Sequence, residues 1–296
     1  MHHAELFISE SIKYLKRQSI NGGFAPWEGA KPNAMTTAEV ISALCDVGHP
    51  WGQVLIPEAA VRLLEWQNVN GSWTDPNTDN PWDVSSTAWS ICALMKSDKR
   101  KFFSSCSRGV KWLCYNILPK GGLPTNSLQE VPNTYATAYG FLVLRAFNKK
   151  SESESCLKFL IDSQNKDGGW GLYAGDVSES TLTAYVLHGL LDGGMPIHYR
   201  AASRGLSFLK KAQAPDGTWG SWLNEVRSVE GTSFSILILC KAKQVENVDV
   251  LRSINFLEER FANGSPWILD GTNQIWIAVS TLLVGNALLK YWRGNE

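Results

Sequence analysis

Glu39, Asp83, Glu230 and His188 stand in, or at the start of, segments otherwise built from Ala, Leu, Ser, Thr and aromatic residues. A carboxylic acid set into an apolar wall has its pKa raised, stays protonated near neutral pH and can donate a proton. A histidine in the same setting can take one back. When the segments are aligned on Thr-Ala or its equivalent, one position reads Met35, Ser85, Tyr135, Thr181, Glu230 and Ile275. Four residues later come Glu39, Trp89, Tyr139, Tyr185, Phe234 and Val279. Residues four apart share a helix face, so the two sets look the same way. Aromatic faces stabilise a nearby cation by about 0.5–2 kcal/mol each, depending on desolvation. Acids beside a belt of rings suit the protonation of a hydrocarbon chain. Blander readings stand next to this one. Glu230 is either an inward acid or a solvated residue of the preceding loop. Asp83 is either catalytic or the cap of its helix. His188 is either a base or a hydrogen-bonded core histidine.

The segments that carry these residues belong to a repeat. SIKYLKRQSINGGF, VRLLEWQNVNGSW, VKWLCYNILPKGGL, LKFLIDSQNKDGGW, LSFLKKAQAPDGTW and INFLEERFANGSPW each place apolar residues on one helical face before a Gly-rich turn. TTAEVISAL, SSTAWSICAL, YATAYGFLVL, TLTAYVLHGL, GTSFSILIL and WIAVSTLLVGNAL follow them. The period of about 45–50 residues marks a repeat architecture. The first helix of each unit is one-faced and outer; the second is apolar nearly all round and inner. The last inner helix is as apolar as the central ones and supplies no polar end cap, which favours ring closure over an open stack. The expected fold is therefore all-α: one (α/α)6 barrel over residues 1–296, six inner and six outer helices, with a central cavity.

Composition narrows the functions. Lys plus Arg and Asp plus Glu are both 28, so nothing electrostatic argues for nucleic acid or an anionic membrane. The six cysteines form no Cys-x-x-Cys pair and no zinc-like spacing, which reads as a reduced, cytoplasmic protein. No stretch approaches the roughly 18 apolar residues of a membrane span. No metal or other cofactor is expected. The thirteen Trp are read mainly as core and turn residues.

The turns LLEWQNVNGSW (63–73), FLIDSQNKDGGW (159–170) and FLKKAQAPDGTW (208–219) resemble the QW repeat of triterpene cyclases. The resemblance matches Gln67, Gln164 and Gln213 to the Gln that ties a helix end to the neighbouring turn, and Trp73, Trp170 and Trp219 to the Trp. It implies the α/α barrel shared by squalene-hopene cyclase, class II diterpene cyclases and protein prenyltransferase β-subunits. Class II cyclases open one inner helix with Asp-x-Asp-Asp-Thr-Ala, whose middle Asp is the Brønsted acid. The matching stretch is Asp83-Val84-Ser85-Ser86-Thr87-Ala88, with Ser85 at the acid position. A neutral hydroxyl cannot protonate an alkene. The prenyltransferase zinc pattern, Asp-x-Cys at an inner-helix start, is absent.

The resemblance thus implies a terpene-cyclase-like enzyme with its acid displaced. It would cyclise a polyprenyl or prenylated small molecule by protonation without metal, with Glu230, Asp83, Glu39 and His188 as catalytic candidates. Trp89, Tyr135, Tyr139, Tyr185, Phe234 and Ser85 would contact this hydrophobic, isoprenoid-like ligand. A lone barrel has an open mouth, which a second subunit or a homodimer could cover. The competing reading is a barrel without chemistry that binds a hydrophobic ligand or serves a larger complex. A polysaccharide-processing barrel is a weaker third.

Overall fold

The computed structural model describes residues 2–27, 29–74, 83–220, 227–246, 248–259 and 274–293, without the side chains of 274–277 and 293. The sixth Gly-rich turn, in INFLEERFANGSPW, lies outside the described residues in its latter part, as does the side chain of Ile275.

The described helices are α1 (His2–Gln18), α2 (Ala34–Val47), α3 (Pro50–Glu65), α4 (Asp83–Tyr115), α5 (Thr134–Ala146), α6 (Lys150–Asp162), α7 (Ser180–Asp192), α8 (Arg200–Ala212), α9 (Val229–Lys241), α10 (Val250–Glu259) and α11 (Gln274–Arg293). Within α4 the backbone leaves helical geometry at Asp98, with φ −158° and ψ 94°. This break divides α4 into an inner and an outer segment.

The inner helices close on themselves. α2 packs on α4, α4 on α5, α5 on α7, α7 on α9, α9 on α11, and α11 returns to α2. The outer helices interlock this ring, because each packs on an inner helix of the unit before it: α6 on α5, α8 on α7 and α10 on α9. By the same rule α1, from the first unit, packs on α11 from the last. Gly285 of α11 permits this approach, since a Cβ there would stand 2.8 Å from the Ala4 carbonyl oxygen. The expected barrel of six inner and six outer helical segments is what the chain forms.

The turns show why the repeat has its sequence. The indole N–H groups of Trp73, Trp170 and Trp219 donate to the carbonyls of Leu63, Leu160 and Leu209 at 2.6, 2.7 and 2.8 Å. Each ring is fully buried while satisfying a carbonyl at the end of the preceding outer helix. Gln67, Gln164 and Gln213 use Nε2 to bind the carbonyls of Gly71, Gly168 and Gly217 in their own turns. The same nitrogens reach Ser105, Ala201 and Asp249 at the next outer helix. Gly168 sits at φ 99°, and a Cβ there would meet the Arg204 carbonyl oxygen at 2.6 Å, so this turn requires glycine.

A second clasp runs from turn to inner helix. The backbone N–H groups of Phe24, Trp73, Leu123, Trp170 and Trp219 donate to the hydroxyls of Thr37, Thr87, Thr137, Thr183 and Thr232, at 2.8–3.1 Å. The threonine of each Thr-Ala alignment is therefore structural, Thr87 of the DVSSTA stretch included. Asn33, Asn133 and Ser228 then cap α2, α5 and α9 by accepting from Thr36, Ala136 and Gly231.

Trp170→Ala should cost about 3–5 kcal/mol of stability, from lost burial, a cavity and an orphaned carbonyl. Trp27, half exposed, should change stability by no more than about 0.5 kcal/mol on the same substitution. Urea unfolding of both variants measures this; equal midpoints would refute the role given to the turn tryptophans.

Candidate functional site

The amino-terminal halves of the inner helices bring the aligned residues together. Trp89 of α4, Tyr135 and Tyr139 of α5, Tyr185 of α7 and Phe234 of α9 are all buried. Ring centroids lie 4.5 Å apart for Trp89–Tyr139, 5.1 Å for Tyr135–Tyr139, 5.0 Å for Tyr135–Tyr185 and 4.6 Å for Tyr185–Phe234. The Trp89 indole N–H donates to the Tyr135 hydroxyl at 2.8 Å. The belt read from the helical register is thus one contiguous cluster. The rings of neighbouring inner helices touch one another. Large side chains converging from several helices gain dispersion contacts by meeting, as close packing of interiors favours.

Two carboxyl groups adjoin the rings. Glu39, in the second turn of α2, is only 3% exposed. Its Oε2 has no hydrogen-bond partner among the described residues. Burial raises its pKa well above the usual carboxylate range, and the nearby charge of Glu230 raises it further. Glu39 is therefore held as the neutral acid. Glu230, in the first turn of α9, is partly buried rather than in a solvated loop. It accepts a hydrogen bond from the Tyr185 hydroxyl.

The DVSSTA stretch starts the inner segment of α4. Asp83 is buried; its Oδ1 accepts from the Ser127 N–H at 2.8 Å and its Oδ2 from the Ser127 hydroxyl. Burial raises its pKa while these bonds act in the opposite direction. Its contacts pin the loop after the third turn onto the start of α4. Ser85, at the position of the expected acid, is fully buried, and its hydroxyl has no partner among the described residues.

His188 lies one layer deeper along α7. Its Nδ1 is 3.2 Å from the Tyr139 hydroxyl and its Nε2 is 3.4 Å from Oδ2 of Asp192. Burial lowers its pKa to about 4, so the ring is neutral at physiological pH. The carboxylate beside Nε2 favours a proton there, leaving Nδ1 to accept from Tyr139. Burial alone would raise Asp192, but His188 and Lys241 hold it below the usual range.

Asp192 marks the rim of a cavity of about 410 Å³ at the opposite, carboxyl-terminal mouth of the ring. Its lining includes Asp46, Lys96, His188, Leu237, Lys241, Lys243, Leu283 and Lys290. The sequence analysis did not single it out, although Asp46, Lys96, Asp192 and Lys241 share one place in their repeats, nine residues after Thr37, Thr87, Thr183 and Thr232. A second signal is the spacing of Tyr185, His188 and Asp192, which puts three polar side chains in successive layers of one helix face. Among the described residues no group of three or more His, Cys, Asp or Glu is placed to hold a metal ion. No described helix is long and apolar enough to cross a membrane.

The chain resembles known proteins along most of its length. Drimenyl diphosphate synthase of Streptantibioticus cattleyicolor is 27% identical over 215 residues, covering 69% of this chain and 40% of that enzyme. The probable squalene–hopene cyclase of Sinorhizobium fredii is 24% identical, over 64% of this chain and 34% of that protein. The chain therefore spans well under half the length of these curated relatives. A variant of the type II terpene cyclase MstE from Scytonema, in complex with its substrate geranylgeranyl dihydroxybenzoate, superposes with a TM-score of 0.76 at 16% identity. That match covers 98% of this chain and 97% of MstE. The Prenyltransferase alpha-alpha toroid domain matches residues 5–169 and 172–266, and the chain belongs to that family.

Proposed function

We propose that this protein cyclises a polyprenyl or prenylated small molecule by protonation, with Glu39 as the acid. The observation that carries the reading is Glu39 itself: a buried, neutral carboxyl with one unpartnered oxygen, beside a second carboxylate and a cluster of rings. The terpene cyclases among its relatives support the substrate class.

Substrate would bind against the aromatic cluster, beside Glu39. The carboxyl then gives its proton to the CH carbon of a terminal trisubstituted alkene, whose π pair forms the new C–H bond and leaves a tertiary cation. On an epoxide the proton goes to oxygen, and the tertiary C–O bond breaks with its electron pair going to that oxygen. The π pair of the next alkene forms a C–C bond and moves the cation along the chain. Tyr135, Tyr139, Tyr185, Phe234 and Trp89 face that charge, each contributing about 0.5–2 kcal/mol. The last cation loses a proton to the Tyr139 oxygen as Tyr139 passes its own to Nδ1 of His188. The imidazolium is steadied by Asp192. His188 then returns this proton through solvent to the Glu39 carboxylate, so the reaction is an isomerisation. Glu230 acts on Glu39 through its charge and fixes Tyr185. Asp83 and Ser85 act in support: Asp83 holds its loop, and Ser85 leaves the acid position without a charge.

Glu39→Gln should lower turnover by about 10²–10⁴-fold, the usual contribution of a positioned acid. Glu230→Gln should be milder, since the Tyr185 hydroxyl can still donate to an amide oxygen. Incubation with prenyl diphosphates and prenylated aromatics, with chromatographic detection of cyclic products, measures both. Full turnover by Glu39→Gln would remove Glu39 as the acid.

Neutral His188 also predicts a pH signature in stability. Its folded pKa of about 4 lies below the unfolded value near 6.5. Between these values the unfolded chain binds the extra proton, so stability is full above 6.5 and falls as pH drops towards 4. The wild type should lose up to roughly 3 kcal/mol across that window relative to His188→Gln. Parallel stability–pH curves for the two proteins would contradict a neutral, buried His188.

A further inference from the structure

The carboxyl-terminal mouth carries charge that the ring does not balance. Four lysines, Lys96, Lys241, Lys243 and Lys290, line the cavity against two aspartates, Asp46 and Asp192. Both aspartates are engaged. The Lys96 ammonium contacts the two Asp46 carboxylate oxygens at 2.8 and 2.7 Å, and Lys241 pairs with Asp192. Neither Lys243 nor Lys290 pairs with a carboxylate among the described residues. Lys290 bonds a neutral acceptor, the Asp46 backbone oxygen, at 3.3 Å. His188, the other titratable base of the lining, is neutral, and the Cys240 thiol is pushed up to about 12 by burial. Among the described residues, two of the four lysines at this mouth therefore have no carboxylate partner.

Helix ends explain part of this. The inner helices present their carbonyl ends here, which favours nearby cations. That accounts for Lys290 over Asp46. It does not account for Lys243, which follows α9 in the left-handed region at φ 53° and lines the same cavity. Like charges gathered around one cavity repel, and a bound anion removes that cost. Below the lysines the walls are apolar, with Leu237, Leu283 and Ala287. A volume of about 410 Å³ exceeds what a small inorganic ion fills.

We propose that this mouth is a binding site for a phosphate-type dianion, held by Lys243 and Lys290 with Lys96 and Lys241 behind them, and with room below for an apolar body. The site stands apart from the Glu39 carboxyl and does not depend on turnover.

Calorimetric titration of the full chain with decyl phosphate, decanol and inorganic phosphate tests it. Decyl phosphate should bind at least about tenfold more tightly than decanol, and more weakly as salt is added. Lys243→Gln with Lys290→Gln should lose about tenfold of that affinity, while Lys243→Arg with Lys290→Arg keeps it. Lys120→Ala with Lys166→Ala, exposed lysines in the turns at the opposite end of the helices, should bind as wild type. If inorganic phosphate binds as tightly as the ester, the occupant is a free phosphate-type ion; if the alkyl chain adds affinity, it is an amphiphile. Equal binding of decanol, or unchanged binding by the glutamine pair, would overturn the site. Glu39→Gln should bind decyl phosphate like wild type. Binding without turnover would thus sink the cyclase reading alone, and turnover without lysine-dependent binding would sink the anion site alone.

Discussion

A backbone N–H held by a threonine hydroxyl fixes the depth of every inner helix in this ring for which the turn is described. Five turns donate in this way, to Thr37, Thr87, Thr137, Thr183 and Thr232. Each bond is worth only about 0.5–1.5 kcal/mol net, but its consequence is geometric. Three of these turns are themselves clamped to the outer wall, by the indoles of Trp73, Trp170 and Trp219 and the amides of Gln67, Gln164 and Gln213. Once the threonine is clasped to such a turn, its helix can neither slide nor rotate without leaving a buried donor orphaned. Residues two before and two after the threonine are then set at common levels. That is why Tyr135, Tyr139, Tyr185, Phe234 and Trp89 meet although they come from four different helices.

This register is what made so much of the ring legible from residues alone. The Thr-Ala alignment works because the threonine has the same structural task in each unit, so a column of the alignment is a physical layer. Glu39 and Glu230 could be placed beside the rings from that column. Two things in the layer could not be read. One is that the rings close on each other, since period and spacing give direction but not reach. The other is which carboxyl is the more strongly desolvated. In sequence Glu230 is the first candidate for the displaced acid, yet it occupies a first turn that is partly open and already hydrogen-bonded, whereas Glu39 lies one turn further in.

The far mouth was illegible for a related reason. Asp46, Lys96, Asp192 and Lys241 share a column there, but it mixes acids with bases and so spells no motif. Lys243 follows a left-handed turn, and Lys290 lies in a helix longer than its counterparts. Their arrival at the same mouth is a product of helix length and ring closure, which the repeat does not encode. Asp83 is a different case, for which the sequence left catalysis and helix capping side by side. Its place in the DVSSTA stretch suggests chemistry, but its contacts are with Ser127, in a loop more than forty positions along the chain.

The two ends of the ring are joined by one line of polar atoms. Asp192 stands at the lysine-lined mouth, His188 one turn deeper, and Tyr139 beyond it within the ring cluster. A low-dielectric interior makes such a line consequential, because each member's proton position constrains the next. With Asp192 ionised and His188 neutral, the Tyr139 proton is directed towards Nδ1 and its oxygen lone pairs towards the rings. Reversing this arrangement would require a protonated histidine inside the ring, against a burial that holds its pKa to about 4. In the proposed reaction the fold thus separates a neutral donor, Glu39, from a neutral acceptor chain. It does so through desolvation, so neither role requires a charge to be carried permanently into the apolar centre.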